Sequence, residues 1–175
     1  MLAARYPNHE LHPSLDFTGR GIATRFDAKF GSIDMPGRDG TSAVLETDDA
    51  LVRLAGVHLM NPVNFPWWVA ARSRRRQLEG LFRWLDAGDG PVVVAGDFNA
   101  SPRWPAYRRV GERLIDLVLE HDPEAERTWA WRPGWPRLLR IDHVFGSGVV
   151  ATDVWVEQIR GTDHAALIVD LEVIG

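Results

Sequence analysis

The sequence predicts a layered α/β chain (α+β layered), with many strands and a few helices outside them. Three observations carry this expectation. "VVVAG" is a short unbroken apolar run, the pattern of a strand covered on both faces. "LVRLAGVH" alternates instead. Leu51, Arg53, Ala55 and Val57 share one face, and Val52, Leu54, Gly56 and His58 share the other. From Trp67 to Asp86 the spacing becomes helical, with Ala70, Ser73, Gln77, Leu78, Leu81, Phe82 and Leu85 as the inner stripe.

The remaining elements follow in order. "GIATRF" and "KFGSIDM" read as two short strands around a turn, and "GRDGTS" has loop chemistry. "SAVLET" and "ALVRLAGVHL" form a hairpin through Asp48 and Asp49. On the helix, Arg72, Arg74, Arg75 and Arg76 fall mainly on the solvated face, and residues 88–91 end it. A helical stretch spans residues 106–120, broken near Gly111. "IDHVF", "ATDVWVEQI" and "AALIVDLEVI" supply three further strands. "NHELH" reads as a surface loop. Its His9 and His12 are three apart, where a helical zinc site needs four, and Pro13 follows at once.

Composition bounds the function. A chain of 175 residues fits one domain, taken as 1–175. The absence of Cys excludes disulfides and thiolate metal sites. The net charge of −4 excludes a strongly basic nucleic-acid scaffold and argues against a nonspecific DNA nuclease. No stretch has the length of a transmembrane helix and no signal-peptide pattern opens the chain, so the default expectation is a cytoplasmic domain. No Gly-x-Ser-x-Gly elbow is present for serine-hydrolase chemistry. Trp is frequent, with 8 residues, three of them in "TWAWRPGW".

Strand ends hold the candidate chemistry. In "AGDFNA", Asp97 and Asn99 are two apart, which at a strand end puts both on one face and sends Phe98 into packing. A carboxylate beside an amide at the mouth of a buried strand suits a hard cation or a polar substrate. A plain turn explains the same residues equally well. Asp142 opens the apolar strand in "RIDHVF", where an unpaired carboxylate is costly and needs a partner. His143 alternates with it and reads as structural. "GTDHAAL" places Asp163 and His164 before the last strand, and a His beside acids can have its tautomer fixed by one of them. His58 closes the strand in "VHL".

Taken together and in this order, "VHL", "GDFNASP", "RIDHV" and "GTDH" resemble the endonuclease/exonuclease/phosphatase superfamily, in the style of its small bacterial members. The resemblance runs from about Gly21 to the C-terminus. It implies a two-sheet β-sandwich flanked by helices in four layers, and hydrolysis of a phosphate ester by in-line attack of water with Mg²⁺ or Mn²⁺ as cofactor. By motif, Asp97 would orient or deprotonate the water, and Asn99 would hydrogen-bond the phosphate and Asp97. Asp163 would be the metal-side carboxylate. His164, held by Asp142, would contact a non-bridging oxygen, and His58 would lie on the leaving-group side. The implied partner is a phosphate ester, whether nucleic acid, inositol phosphate or phospholipid head group, with no obligate protein partner evident.

The resemblance also implies an opening strand with an Asn and a later strand ending in a metal-binding Glu. Neither is visible before "MLAARYPNHEL", which looks like the helix and loop that follow that Glu. The expectation is therefore an N-terminally truncated member. Its metal site would be weakened, because Mg²⁺ depends on carboxylate ligands. The alternative function is a catalytically impaired relative acting as a binding module.

Overall fold

A computed structural model describes residues 5–16, 18–63 and 66–174. Its centre is a sheet in the order β3-β4-β5-β6-β10-β7. These strands are β3 (Asp27–Ile33), β4 (Gly40–Glu46), β5 (Leu51–His58), β6 (Val92–Asp97), β7 (Ile115–Asp116) and β10 (Asp142–Ser147). β5 and β6 are parallel, and the other pairings in the sheet are antiparallel.

The two faces of this sheet are covered differently, and the alternation of β6 shows how. Val92 and Val94 join a core with Leu78 and Leu81 of helix α1 (Trp67–Asp86) and Ala106 and Val110 of helix α2 (Pro105–Gly111). Val93 joins the opposite core with Val52, Val144, Leu117 and Val149. Leu117 belongs to the short helix α3 (Leu117–His121), and Val149 opens β11 (Val149–Gln158), which pairs with β12 (Ala165–Val173). β6 is thus buried on both faces, as its unbroken apolar run requires.

The second layer is in separate pieces. β11 and β12 form one hairpin, and β1 (Asn8–His12) pairs with β2 (Arg20–Thr24) in another. Among the described residues no ladder joins the two hairpins. A smaller pair, β8 (Trp129–Ala130) with β9 (Arg137–Leu139), lies between α3 and β10 in the chain.

Several expectations are corrected. "NHELH" is strand β1 rather than a loop, where Glu10 pairs with Ile22 across the ladder and its carboxylate lies 2.9 Å from His12. The helix expected in the opening residues falls largely on residues 1–4, outside the described residues. β2 and β3 do flank a turn, but their partners lie elsewhere. β2 pairs back to β1, and β3 pairs forward to β4. β4 begins inside "GRDGTS", at Gly40. The stretch 106–120 does break after Gly111, and the chain there adds β7 to the sheet's edge, against β10, before α3.

Arg74 is the largest departure. It is 7 % exposed rather than solvated. Its guanidinium donates to the carbonyls of Met60 and Phe98, which ties α1 to the loops after β5 and β6. On the same helix, Gln77 is fully buried and accepts from the Met60 N–H at 2.9 Å. At the other end Arg53, stacked 4.4 Å from Trp84, donates to the carbonyls of Trp84, Leu85 and Gly88. One strand side chain thus satisfies the orphan carbonyls at the end of α1.

Candidate active site

Three of the six candidate residues stand in one row across the sheet. His58 is the Cα partner of Asp97 on the parallel side, and Asp142 is its partner on the antiparallel side. Each continues the alternation that puts Val52, Val93 and Val144 in the second core, so all three point to that face. The row ends two parallel strands and begins an antiparallel one, which leaves its side chains at the sheet's edge.

β5 and β6 come unusually close here. Gly96 has φ +141, and a Cβ on it would lie 2.0 Å from the Val57 carbonyl oxygen. After Asp97 the chain turns. Asn99 is a non-glycine residue with φ 46, and its backbone N–H donates to Asp97 Oδ1 at 2.7 Å. Its Nδ2 donates to Asp97 Oδ2 at 3.0 Å and to the Leu59 carbonyl at 3.0 Å. The turn and the site are therefore one feature. Asp97 and Asn99 meet through an Asx-type turn rather than through strand alternation, while Phe98 is fully buried as expected.

The Asp97 carboxylate is engaged from several sides. His58 Nε2 lies 3.2 Å from Oδ2. Arg74, behind the site, and Arg38, in the cleft wall, both feel its charge. Burial holds both guanidinium pKa values below their ordinary range, and the charge of Asp97 offsets only part of that.

His164 arrives from the second layer. Its Nδ1 lies 2.9 Å from Asp142 Oδ2. Thr128, fully buried, fixes this approach. Its Oγ1 accepts from the N–H groups of Ile141 and Asp142 at 3.3 Å each, and its carbonyl accepts from the Ala165 N–H at 2.8 Å. Burial pushes the His164 pKa down, but the Asp142 hydrogen bond and the charges of Asp142, Asp97 and Asp163 outweigh it, and the net shift is upward. Asp163 Oδ2 accepts from the Trp129 indole at 3.1 Å.

Of the six candidate residues, all except Asp142 line one cleft of about 830 Å³. His58, Asp97, Asn99, Asp163 and His164 form its polar part together with Arg38, and Trp104, Trp129 and Trp131 are among its apolar walls. Asp142 sits behind the His164 ring. The "WAWRPGW" segment thus borders the site. His143 faces away from it and is structural. It is buried against Phe98, Tyr107 and Phe145, with Nε2 2.7 Å from the Ala100 carbonyl. Its Nδ1 is 3.5 Å from Asp116, a distance for attraction rather than a well-formed hydrogen bond. Sequence reasoning missed Arg38, Arg74 and Thr128. None of them carries a motif: burial in the fold distinguishes Arg74 and Thr128, and a place in the cleft wall distinguishes Arg38.

The resemblance implies a divalent metal, which needs hard oxygen donors. Asp97, Asn99 and Asp163 share the cleft and are suitable in kind. They fall short in number. Among the described residues no three His, Cys, Asp or Glu side chains are grouped to hold an ion. Both Asp97 oxygens and one Asp163 oxygen already accept hydrogen bonds. This donor set does not form a metal site by itself.

Comparison with known proteins places the arrangement. A family model described as "Endonuclease/Exonuclease/phosphatase family" matches residues 2–164. The chain is 30% identical over 135 residues to a UPF0294 protein of Vibrio vulnificus (strain CMCP6), covering 73% of this chain and 42% of that protein. A UPF0294 protein of Klebsiella pneumoniae (strain 342) is 32% identical over 126 residues, covering 70% and 43%. The chain therefore spans less than half the length of these relatives. Among solved structures, the 3′ phosphatase NExo from Neisseria, bound to a product DNA hairpin, aligns with TM-score 0.74 at 20% identity over 94% of this chain and 79% of that one. Humanized D. rerio TDP2 aligns with TM-score 0.76 at 19% identity over 98% and 78%.

Proposed function

This chain belongs to the endonuclease/exonuclease/phosphatase family, and from that premise we propose that its cleft hydrolyses a phosphate ester by in-line attack of water. One observation carries the reading. His58, Asp97 and Asp142 share a row, and Asn99 and His164 are hydrogen-bonded to its carboxylates. A neighbour of the same fold named as a 3′ phosphatase, bound to product DNA, supports a phosphate ester as the substrate class.

Each residue has a role in this reaction. Asp97 orients the attacking water and takes its proton. The water oxygen bonds to phosphorus as the ester P–O bond breaks. The Asn99 amide and the Arg38 guanidinium hold the phosphate. His164, fixed by Asp142, donates to a non-bridging oxygen and offsets the charge that develops there. His58 supplies the proton that the leaving oxygen takes up. Most of the catalysis comes from positioning and charge, as phosphoryl transfer requires. Family chemistry adds a divalent ion to such sites, and the steps above run on this chain's own side chains.

The test is turnover of bis-nitrophenyl phosphate in Mg²⁺ or Mn²⁺ by the wild type and by Asp97→Asn. The expected drop is about 100-fold or more. Turnover surviving in Asp97→Asn overturns the assignment. A second reading, a catalytically impaired module that binds phosphate esters, is favoured by the incomplete metal donor set. It predicts no turnover by the wild type, with calorimetric binding of the diester retained.

A further inference from the structure

Residues that the hydrolytic site does not use crowd its mouth. Trp131 and Trp135 lie on the β8–β9 connection, exposed at 65% and 56%. Val63 and Trp67 belong to the loop before α1 and its first turn, exposed at 78% and 67%. Trp104 precedes α2 and is also exposed. Val63, Trp104 and Trp131 line the cleft itself. Trp67 and Trp104 line an adjoining groove of about 290 Å³, which shares Pro62 and Trp104 with the cleft. The apolar rim is thus continuous with the mouth of the site. Such patches are uncommon unless something covers them.

The charge of this rim is opposite to that of the chain. The net charge is −4, yet the groove is lined by Arg75 and Arg109 beside the buried Arg74, and among the described residues no acidic side chain lines it, the nearest partner being Glu79, 3.4 Å from Arg75. Arg132 stacks 5.5 Å from the Trp135 ring.

We propose that this rim docks on an anionic lipid surface. Its Trp and aliphatic side chains enter the head-group region, and its Arg residues pair with lipid phosphates. Trp favours that boundary because one end of its ring system is apolar and the other donates a hydrogen bond. A single-stranded nucleic acid uses aromatic faces and cations but gains nothing from the exposed Val63, which a bilayer accepts. No helix among the described residues is long and apolar enough to cross a membrane, and the contact proposed is peripheral. Resting on the hydrolytic reading, it makes the substrate a phosphate ester held at that surface.

Vesicle sedimentation tests the docking without turnover. The wild type is expected to pellet with equimolar phosphatidylcholine and phosphatidylglycerol vesicles, less with phosphatidylcholine alone, and less as salt rises. The Trp67→Ser/Trp135→Ser variant should bind about tenfold or more weakly, with circular dichroism confirming its fold. If that variant does not fold, Arg75→Glu/Arg109→Glu reads the same surface through charge. A wild type that stays in the supernatant overturns the proposal, as does folded variant protein binding equally well. Binding of a single-stranded oligonucleotide through the same Trp residues, without vesicle binding, also overturns it and names the other partner. Asp97→Asn should pellet like the wild type. Turnover without pelleting sinks the docking alone, and pelleting without turnover sinks the hydrolytic reading alone.

Discussion

Asp142 has two contacts that pull on the site, its place in the row beside Asp97 and its 2.9 Å bond to His164. The second gives a pH signature. The His164 pKa is raised above its ordinary 6.5 despite burial. A raised folded-state value means the protonated ring is favoured by folding. Its stabilisation is fully present below pH 6.5 and is lost as pH rises through the folded value. In urea unfolding between about pH 5 and pH 9, the wild type should lose this contribution across that window. Asp142→Asn should flatten the dependence and shift the basic limb of any pH–rate profile to lower pH. An unchanged profile in Asp142→Asn would mean the pair does not set the titration. Asp142, Asp97 and the histidines were legible because charged groups at the ends of apolar strands stand out. Arg74 was not, because a fourth Arg among neighbouring Arg residues carries no mark of burial. Only the nearby carbonyls of Met60 and Phe98 explain why it turns inward.

The elements show where pattern suffices and where it fails. The inner stripe of α1 was readable, since Ala70, Gln77, Leu78 and Leu81 all face inward at helical spacing. Gly80 was not. A Gly in mid-helix ordinarily costs about 1 kcal/mol relative to Ala. Here a Cβ would meet the Asp34 carbonyl oxygen at 2.1 Å, and that atom is backbone with little freedom to yield. Gly80 lets α1 lie against the loop after β3. The overlap, about 1–3 kcal/mol or more, should exceed the helix-propensity gain. Gly80→Ala is therefore expected to lower the urea midpoint, and a raised midpoint would refute the close approach. Strand partnering was not readable either. "GIATRF" and "KFGSIDM" are adjacent strands with a turn between them, the pattern of a hairpin. The chain instead uses that turn to pass from the small β1–β2 ladder into the edge of the main sheet.

At the scale of the whole molecule, the site is a product of sheet order. β5, β6 and β10 are neighbours only after α1, α2 and α3 have been threaded between them, and that adjacency turns three separate motifs into one row. Motif order in the sequence implied the convergence, whereas local spacing cannot encode which strands lie side by side. The same assembly bears on the metal. The central sheet supplies Asp97 and the second layer supplies Asp163, but Asp97 is already held by Asn99 and His58 and Asp163 by Trp129. Mg²⁺ dehydrates reluctantly and relies on free carboxylate oxygens or on substrate phosphates. Millimolar Mg²⁺ added without substrate should therefore raise the melting temperature by less than about 1 °C, because a ligand stabilises the fold only when its concentration approaches its dissociation constant. A phosphate diester added with the ion supplies the missing oxygens, and the two together should stabilise more than the sum of each alone. A shift of several degrees from Mg²⁺ alone, or a saturating isotherm at micromolar ion, would show that these carboxylates can be freed to bind it unaided.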